Sequence, residues 1–231
     1  MKNMILITAF CFALFSSCKK EEDLSCGADE NYNPVIEPAN FVASITNPFY
    51  PLAPGSVYKY EEGDETIEVS VLNETKVVAG VTCVVVHDVV KVLGILVEDT
   101  YDWYAQDIDG NVWYFGEDVS NYENGVFADK DGSWETDVDG AKPGIIMLAS
   151  QVLELPYRQE YYFENAEDWG KVVAKNLTVT TPYDTFTNCI KTEDWNGVEP
   201  GIIEHKYFAP GIGFVKEETA SGAFLELVEI L

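Results

Sequence analysis

Basic side chains are scarce in this sequence. Its 231 residues hold 14 lysines and arginines against 40 aspartates and glutamates, a formal charge of −26 with both histidines neutral. Nucleic-acid binding releases counterions from phosphates onto Lys and Arg, so this balance, with no basic cluster, excludes nucleic acid as a partner. Divalent cations, cationic peptides and neutral ligands stay compatible with it, and the simplest consequence of the acidity is a solvated, colloidally stable surface. Histidine is limited to His87 and His205, each inside a strand-like run. No C-x-x-C, H-E-x-x-H, G-x-S-x-G or phosphate-binding loop occurs. That removes the signatures of zinc sites, zinc peptidases, serine hydrolases and P-loop enzymes. Carboxylates such as Glu160, Glu193 and Glu204 are too numerous for any two to mark a glycosidase pair, so the chain reads as a non-enzyme. A membrane-spanning helix needs about 20 apolar residues, and no stretch of that length is present.

What is present at the start is a short export signal. Lys2 is followed by the apolar run Met4 to Phe15 and the small residues Ser16 and Ser17, with Cys18 next. Leu14-Phe15-Ser16-Ser17-Cys18 resembles the lipobox of bacterial lipoproteins, with Phe15 bulkier than is usual at its place. The resemblance implies that residues 1–17 are removed and that Cys18 carries a diacylglycerol and a further acyl chain. At about 0.8 kcal/mol per buried methylene, two or more chains anchor a protein stably to a membrane. Lys19-Lys20-Glu21-Glu22-Asp23 is similar to the lysine-then-acidic signal of surface-exposed Bacteroidota lipoproteins, which implies an outer-membrane address facing outward. Residues 18–47, rich in charge, Asn and Pro, read as an acidic flexible tether spanning roughly 30 Å. The globular domain is then expected over 48–231. With Cys11 lost and Cys18 acylated, Cys26, Cys83 and Cys189 remain, and pairing of Cys83 with Cys189 stays open.

Within the domain the hydrophobic period is two. Ile67, Val69 and Val71 alternate with Thr66, Glu68 and Ser70, and Val84, Val86, Val90 and Val92 share a face. Val97, Tyr101 and Trp103 alternate with Glu98, Thr100 and Asp102 in the same way, one apolar and one polar face on a strand. Further strands are expected over 56–61, 111–117, 157–163, 171–180, 188–194, 202–208, 212–218 and 223–230. A short helix at most is expected over 149–155. Asp109-Gly110, Asn124-Gly125, Asp131-Gly132, Asp139-Gly140, Asn196-Gly197 and Ser221-Gly222 supply hairpin turns between the runs. Short turns pair strands with their sequence neighbours. The fold class is therefore mainly β, a single antiparallel meander. A sheet of about ten strands curls on itself into a half-barrel, barrel or two-layer sandwich.

Two constellations suggest ligands. Asp107 with Asp109, Asp129 with Asp131 and Asp137 with Asp139 form D-x-D-G turns, where calcium is conceivable as a cofactor because it takes clustered oxygens. An EF-hand from Asp107 fails, since Val112 and Asp118 stand where Gly and Glu are required, and the Asp-Gly pairs are explained by turn formation alone. Trp103, Tyr104, Trp113 and Tyr114 place aromatics on both faces of one hairpin. One face belongs to the core, and the other could stack on sugar rings or line an apolar pocket.

Phe49-Tyr50-Pro51-Leu52-Ala53-Pro54-Gly55 with Tyr58-Lys59-Tyr60, and Tyr207-Phe208-Ala209-Pro210-Gly211-Ile212-Gly213-Phe214-Val215, resemble the opening and close of a family of uncharacterised bacterial cell-envelope lipoproteins. Tyr104-Ala105-Gln106-Asp107 leading to Asn111-Val112-Trp113-Tyr114 is similar to its middle. The resemblance implies an antiparallel β fold and no activity. The functional expectation is a non-enzymatic binding or envelope-interaction module on a lipid anchor, with an envelope protein, a glycan or an apolar ligand as partner. Its alternative is a carrier-like or lipocalin-like binder with the ligand inside the curled sheet.

Overall fold

Alternating side chains and two-residue turns build this protein strand by strand into a sheet that meets its own beginning. The computed structural model describes residues 32–198 and 201–231. The leader, Cys18, Cys26 and the first part of the tether lie outside them. Among the described residues, sixteen strands form one antiparallel sheet. The first half comprises β1 (Phe41–Val42), β2 (Val57–Glu62), β3 (Glu65–Val78), β4 (Val81–Val92), β5 (Ile95–Asp107), β6 (Val112–Glu123), β7 (Val126–Asp129) and β8 (Trp134–Glu135). The second comprises β9 (Lys142–Met147), β10 (Tyr157–Arg158), β11 (Glu160–Tyr161), β12 (Asp168–Thr180), β13 (Thr185–Asn196), β14 (Ile203–Ala209), β15 (Gly213–Glu218) and β16 (Phe224–Ile230).

Of the six anticipated turns, Asp109-Gly110, Asn124-Gly125 and Ser221-Gly222 lie between paired strands, β5 with β6, β6 with β7 and β15 with β16, and Asn196-Gly197 lies at the end of β13, which pairs with β14; Asp131-Gly132 and Asp139-Gly140 make no hairpin, since they precede β8 and β9, which both pair with β6. Two further hairpins turn at Ala79-Gly80 and Leu93-Gly94, where Ala79 and Leu93 adopt φ of 48° and 53°. Such left-handed turns match the right-handed twist of the strands they join, so the hairpin imposes a conformation these side chains disfavour. The 149–155 stretch forms no helix; its Leu153 instead bridges to Val172 of β12.

The main path runs β10-β12-β13-β14-β15-β16-β2-β3-β4-β5-β6-β9-β11. Its two ends are consecutive in the chain. Tyr157 and Arg158 pair with Gly170 and Trp169 of β12, whereas Glu160 and Tyr161 pair with Pro143 and Lys142 of β9. One extended segment thus stitches both edges and nearly closes a barrel, which removes the exposed edges an open sheet would present. The expected strand over 157–163 is split in two because it changes partner at Gln159, whose N–H bonds the Asp168 carbonyl at 2.8 Å. Glycine at 144 permits the crossing, since a Cβ there would lie 2.3 Å from the Gln159 carbonyl carbon.

Two buried clusters that share Tyr58, Val69 and Phe214 fill the interior. A third lies on the opposite face of β3 to β6, built on Val78, Cys83, Val85, Trp103, Ala105 and Phe115. This second face is covered by the chain's own N-terminal part, where Ile36 and Phe41 pack on it. The expected tether is therefore too long: its described portion is folded. Phe41 and Val42 pair with Asp107 and Gln106, Ile45 is 4% exposed, and the Thr46 and Asn47 amides donate to the Gln106 side chain at 2.7 and 2.8 Å. Apolar side chains at 36, 41 and 45 turn this Pro- and Asn-rich segment into a cover, since burying them outweighs the entropy of ordering it.

Cys83 and Cys189 are both buried and free, in separate clusters. The barrel exterior carries ion pairs such as Lys59–Glu229 at 2.8 Å and Lys171–Glu193 at 2.9 Å, and His87 Nε2 lies 3.1 Å from Asp99 Oδ1. No helix among the described residues is long and apolar enough to cross a membrane.

Candidate functional site

The four aromatics of the β5–β6 hairpin separate by face. Trp103 and Trp113 point outward but are not an open platform. Trp103 is 6% exposed with the Lys76 ammonium 3.2 Å from its ring centre, and Trp113 lies edge-on to Phe41 and donates its indole N–H to Asp107 Oδ2 at 2.8 Å. The segment from Ile36 to Phe41 covers this face, so the stacking strip is used in packing. Tyr104 and Tyr114 point inward. Their rings stack at 4.8 Å, the Tyr114 hydroxyl donates to Asp102 Oδ1 at 2.6 Å, and Tyr104 meets Tyr50 at 5.5 Å.

Of these inward groups, Tyr50, Asp102 and Tyr104 border a cavity of about 330 Å³ inside the barrel. Tyr50, Pro51 and Leu52 of the loop before β2, Tyr58 and Tyr60 of β2, Ile67 and Val69 of β3, Phe208 of β14, Phe214 of β15 and Leu225 of β16 give it apolar and aromatic walls. Its polar groups are Asp88 of β4, Asp102 of β5, Gln159, Asp194 of β13, Lys206 of β14 and Glu217 of β15. The size and the mixture of apolar wall with few polar groups are those of a small-molecule site.

On β5 the structure decides which of the two faces is inside. The polar side, with Thr100 3% and Asp102 9% exposed, faces in, whereas Tyr101 faces out and stacks on His87 at 4.3 Å. Register decides this: Val84 pairs with Tyr104 and Val86 with Asp102, so the β4 valines that line the interior carry the even-numbered residues of β5 with them. An alternating strand declares two faces but not which one is inside.

Burial raises the proton affinity of several carboxyls in this interior. Burial first, then the charge of Glu98, raises Asp102 from 3.8 to about 7, against the opposing effect of the Tyr114 hydrogen bond. Burial and then Asp102 raise Glu117 to about 9, and burial and then Asp168 raise Glu160 to about 8. Burial pushes Asp88 well above the usual carboxylate range, with Asp102 adding to it. Lys206 is charged despite the cost of its burial, because Asp194, Glu217, Asp168 and Glu204 outweigh that cost; its Nζ lies 3.3 Å from Asp194 Oδ2. Lys206 is also among the residues that line the cavity.

The aspartate turns serve the backbone. Asp107 Oδ1 accepts the amides of Asp109 and Asn111 at 3.0 and 2.9 Å, and Oδ2 accepts Asn111 Nδ2 and Trp113 Nε1, both at 2.8 Å. Asp129 Oδ1 likewise accepts Asn121 Nδ2 and the Asp131 amide. Asp137 and Asp139 occupy left-handed turn positions with φ of 68° and 49°, and Asp137 lies 3.7 Å from the Lys142 ammonium. Among the described residues no group of three or more His, Cys, Asp or Glu side chains is placed to hold a metal ion. Accordingly, millimolar calcium is expected to leave the melting temperature where a chelator leaves it, while Asp107→Ala lowers stability by about 2 kcal/mol through loss of charge-assisted bonds. A calcium-dependent rise in the melting temperature would refute the turn-clamp assignment. His87 and His205 are apart, on β4 and β14, and His205 sits between Glu193 and Glu218 at 3.8 and 3.9 Å.

Sequence reasoning missed Asp88, Asp194 and Lys206. The available signal was Asp88 within the valine face of β4, a charged residue at a position whose period-two neighbours are all apolar.

No protein-family model matches the chain, and neither does any curated protein. Among solved structures, a candidate lipoprotein from Parabacteroides distasonis superposes with a TM-score of 0.44 at 13% identity, covering 80% of this chain and 99% of that one.

Proposed function

We propose that this protein is an outer-membrane lipoprotein, anchored through Cys18 and displayed at the cell surface, whose barrel is a non-catalytic module that holds a small ligand with apolar character in its interior. The observation that carries the binding half is the tyrosine-walled cavity of about 330 Å³. It favours the interior site over the outward aromatic strip, since Trp103 and Trp113 are occupied by the covering segment. The anchoring half rests on the lipobox-like Leu14-Phe15-Ser16-Ser17-Cys18 and the charged residues after it.

Protein taken from its own envelope under gentle extraction is expected to carry a bound small molecule in native mass spectrometry, released on unfolding. A chain uniformly free of adduct whose cavity admits no soluble probe would end the binding reading. Independently, labelled palmitate is expected in the wild-type chain and absent from Cys18→Ala. Label retained in that variant would place the acyl chain elsewhere.

A further inference from the structure

The walls of the cavity select for shape, and its charges select for sign. Asp88 and Asp102 lie on adjacent strands β4 and β5, pointing to the same face, with Val86 opposite Asp102 and Thr100 opposite Asp88. Asp88 Oδ1 has under 1 Å² of accessible surface and no hydrogen-bond partner, and Asp88 lines the cavity. Asp102 is 9% exposed, and one of its oxygens is taken by Tyr114. No described ion pair reaches either carboxyl, because Lys206 is engaged by Asp194 on the opposite wall. A buried carboxyl left without a donor carries a desolvation cost that a ligand donor would relieve. Around this pair stand Tyr50, Tyr58 and Tyr104, whose ring faces attract cations, and Val69 and Ile67 continue the apolar wall.

We infer that the cavity takes a small organic cation, an ammonium group bearing an apolar substituent, with the ammonium against Asp88 and Asp102 and the substituent along the Tyr58–Tyr60 wall. This rests on the reading of the barrel interior as a binding site and adds the charge of the ligand to it. Burial disfavours the charge of both carboxyls, and an ammonium supplies the counter-charge that lets them ionise, which a carboxylate or phosphate of the same shape cannot do. A neutral isostere fills the wall but leaves Asp88 unpartnered.

The test compares three probes of nearly equal shape on the full chain in lipid nanodiscs: 2-phenylethylammonium, 2-phenylethanol and phenylacetate. Titration calorimetry, with empty nanodiscs subtracted, is expected to show the ammonium binding at least about tenfold more tightly than the alcohol, and phenylacetate weakest, as charge-assisted contacts with two carboxyls require. In Asp88→Asn/Asp102→Asn the alcohol still binds while the preference for the ammonium falls to about threefold or less. Equal affinity for all three in the wild type overturns the cation inference and leaves the cavity reading standing. No binding by any of them at millimolar concentration overturns both. Should the double variant not fold by near-ultraviolet circular dichroism, the wild-type ranking alone decides.

Discussion

Gly144→Ala is expected to open the barrel seam and lower stability by about 3 kcal/mol or more, the upper range for forcing extra volume into packed structure. The added Cβ would stand 2.3 and 2.4 Å from the carbonyl carbon and oxygen of Gln159 and 2.6 Å from the Arg158 carbonyl oxygen. All three are backbone atoms of the closing segment, so no side-chain rotation can make room. That segment cannot retreat either. It is held to β12 through Tyr157 and Arg158 and to β9 through Glu160 and Tyr161, with the Arg158 guanidinium stacked 4.6 Å from the Tyr161 ring and 4.4 Å from the Trp169 ring. One pairing must therefore give way, exposing a sheet edge and the cavity together. At roughly 2 to 4 °C per kcal/mol for a domain of this size, the melting temperature should fall by about 10 °C. A melt within about 2 °C of wild type would show that β9 and the closing segment are not in contact.

The barrel is also expected to be more stable at pH 5 than at pH 9, the reverse of ordinary acid denaturation. In the unfolded chain its carboxyls titrate near 4, whereas in the fold Asp102 and Glu217 titrate at about 7, Glu160 at about 8 and Glu117 at about 9, in each case chiefly because burial disfavours the charge. Between those limits the folded state binds more protons than the unfolded one, so stability falls as pH rises. The contribution is complete below about pH 4, declines from there and is lost once the folded values are passed. A shift from 3.8 to about 7 at Asp102 alone corresponds to on the order of 4 kcal/mol. Neighbouring protons leave in overlapping steps, because Asp102, Glu117 and Glu160 act on one another. Exposed pairs such as Lys59–Glu229 change little over this range. The melting temperature should drop by about 10 °C or more from pH 5 to 9. Asp102→Asn should flatten the upper part of that profile. A flat or rising wild-type profile would mean that these carboxyls are ionised and paired in the fold.

The same strands show where sequence reading stops. On β3 the alternation of Ile67, Val69 and Val71 named the inward side correctly, because an apolar side next to an outer charged one leaves a single choice. On β5 it left the inward side open, since Trp103 and Tyr104 put an aromatic on each side. Both sides carry groups that can be buried, and the outer side with Trp103 gains a cover from Ile36 and Phe41, some sixty residues upstream. Nothing within β5 announces that cover. Its absence from the reading is also why residues 32–47 passed for tether: a short Pro- and Asn-containing segment with isolated apolar residues looks unstructured until the surface receiving them is known.

Composition, period and turn chemistry determined by themselves that this chain is an antiparallel meander with a strongly acidic surface, since these depend on residues close together in sequence. Closure at Gln159, the inward orientation of β5 and the meeting of Asp88 with Asp102 beside Tyr50 and Tyr104 were decided by tertiary structure alone. They depend on which strand lies beside which, and on the dry interior that results when the two ends of a sheet are joined. Whether a carboxyl keeps its charge, and so what the interior can hold, follows from that enclosure and not from the identity of the residue.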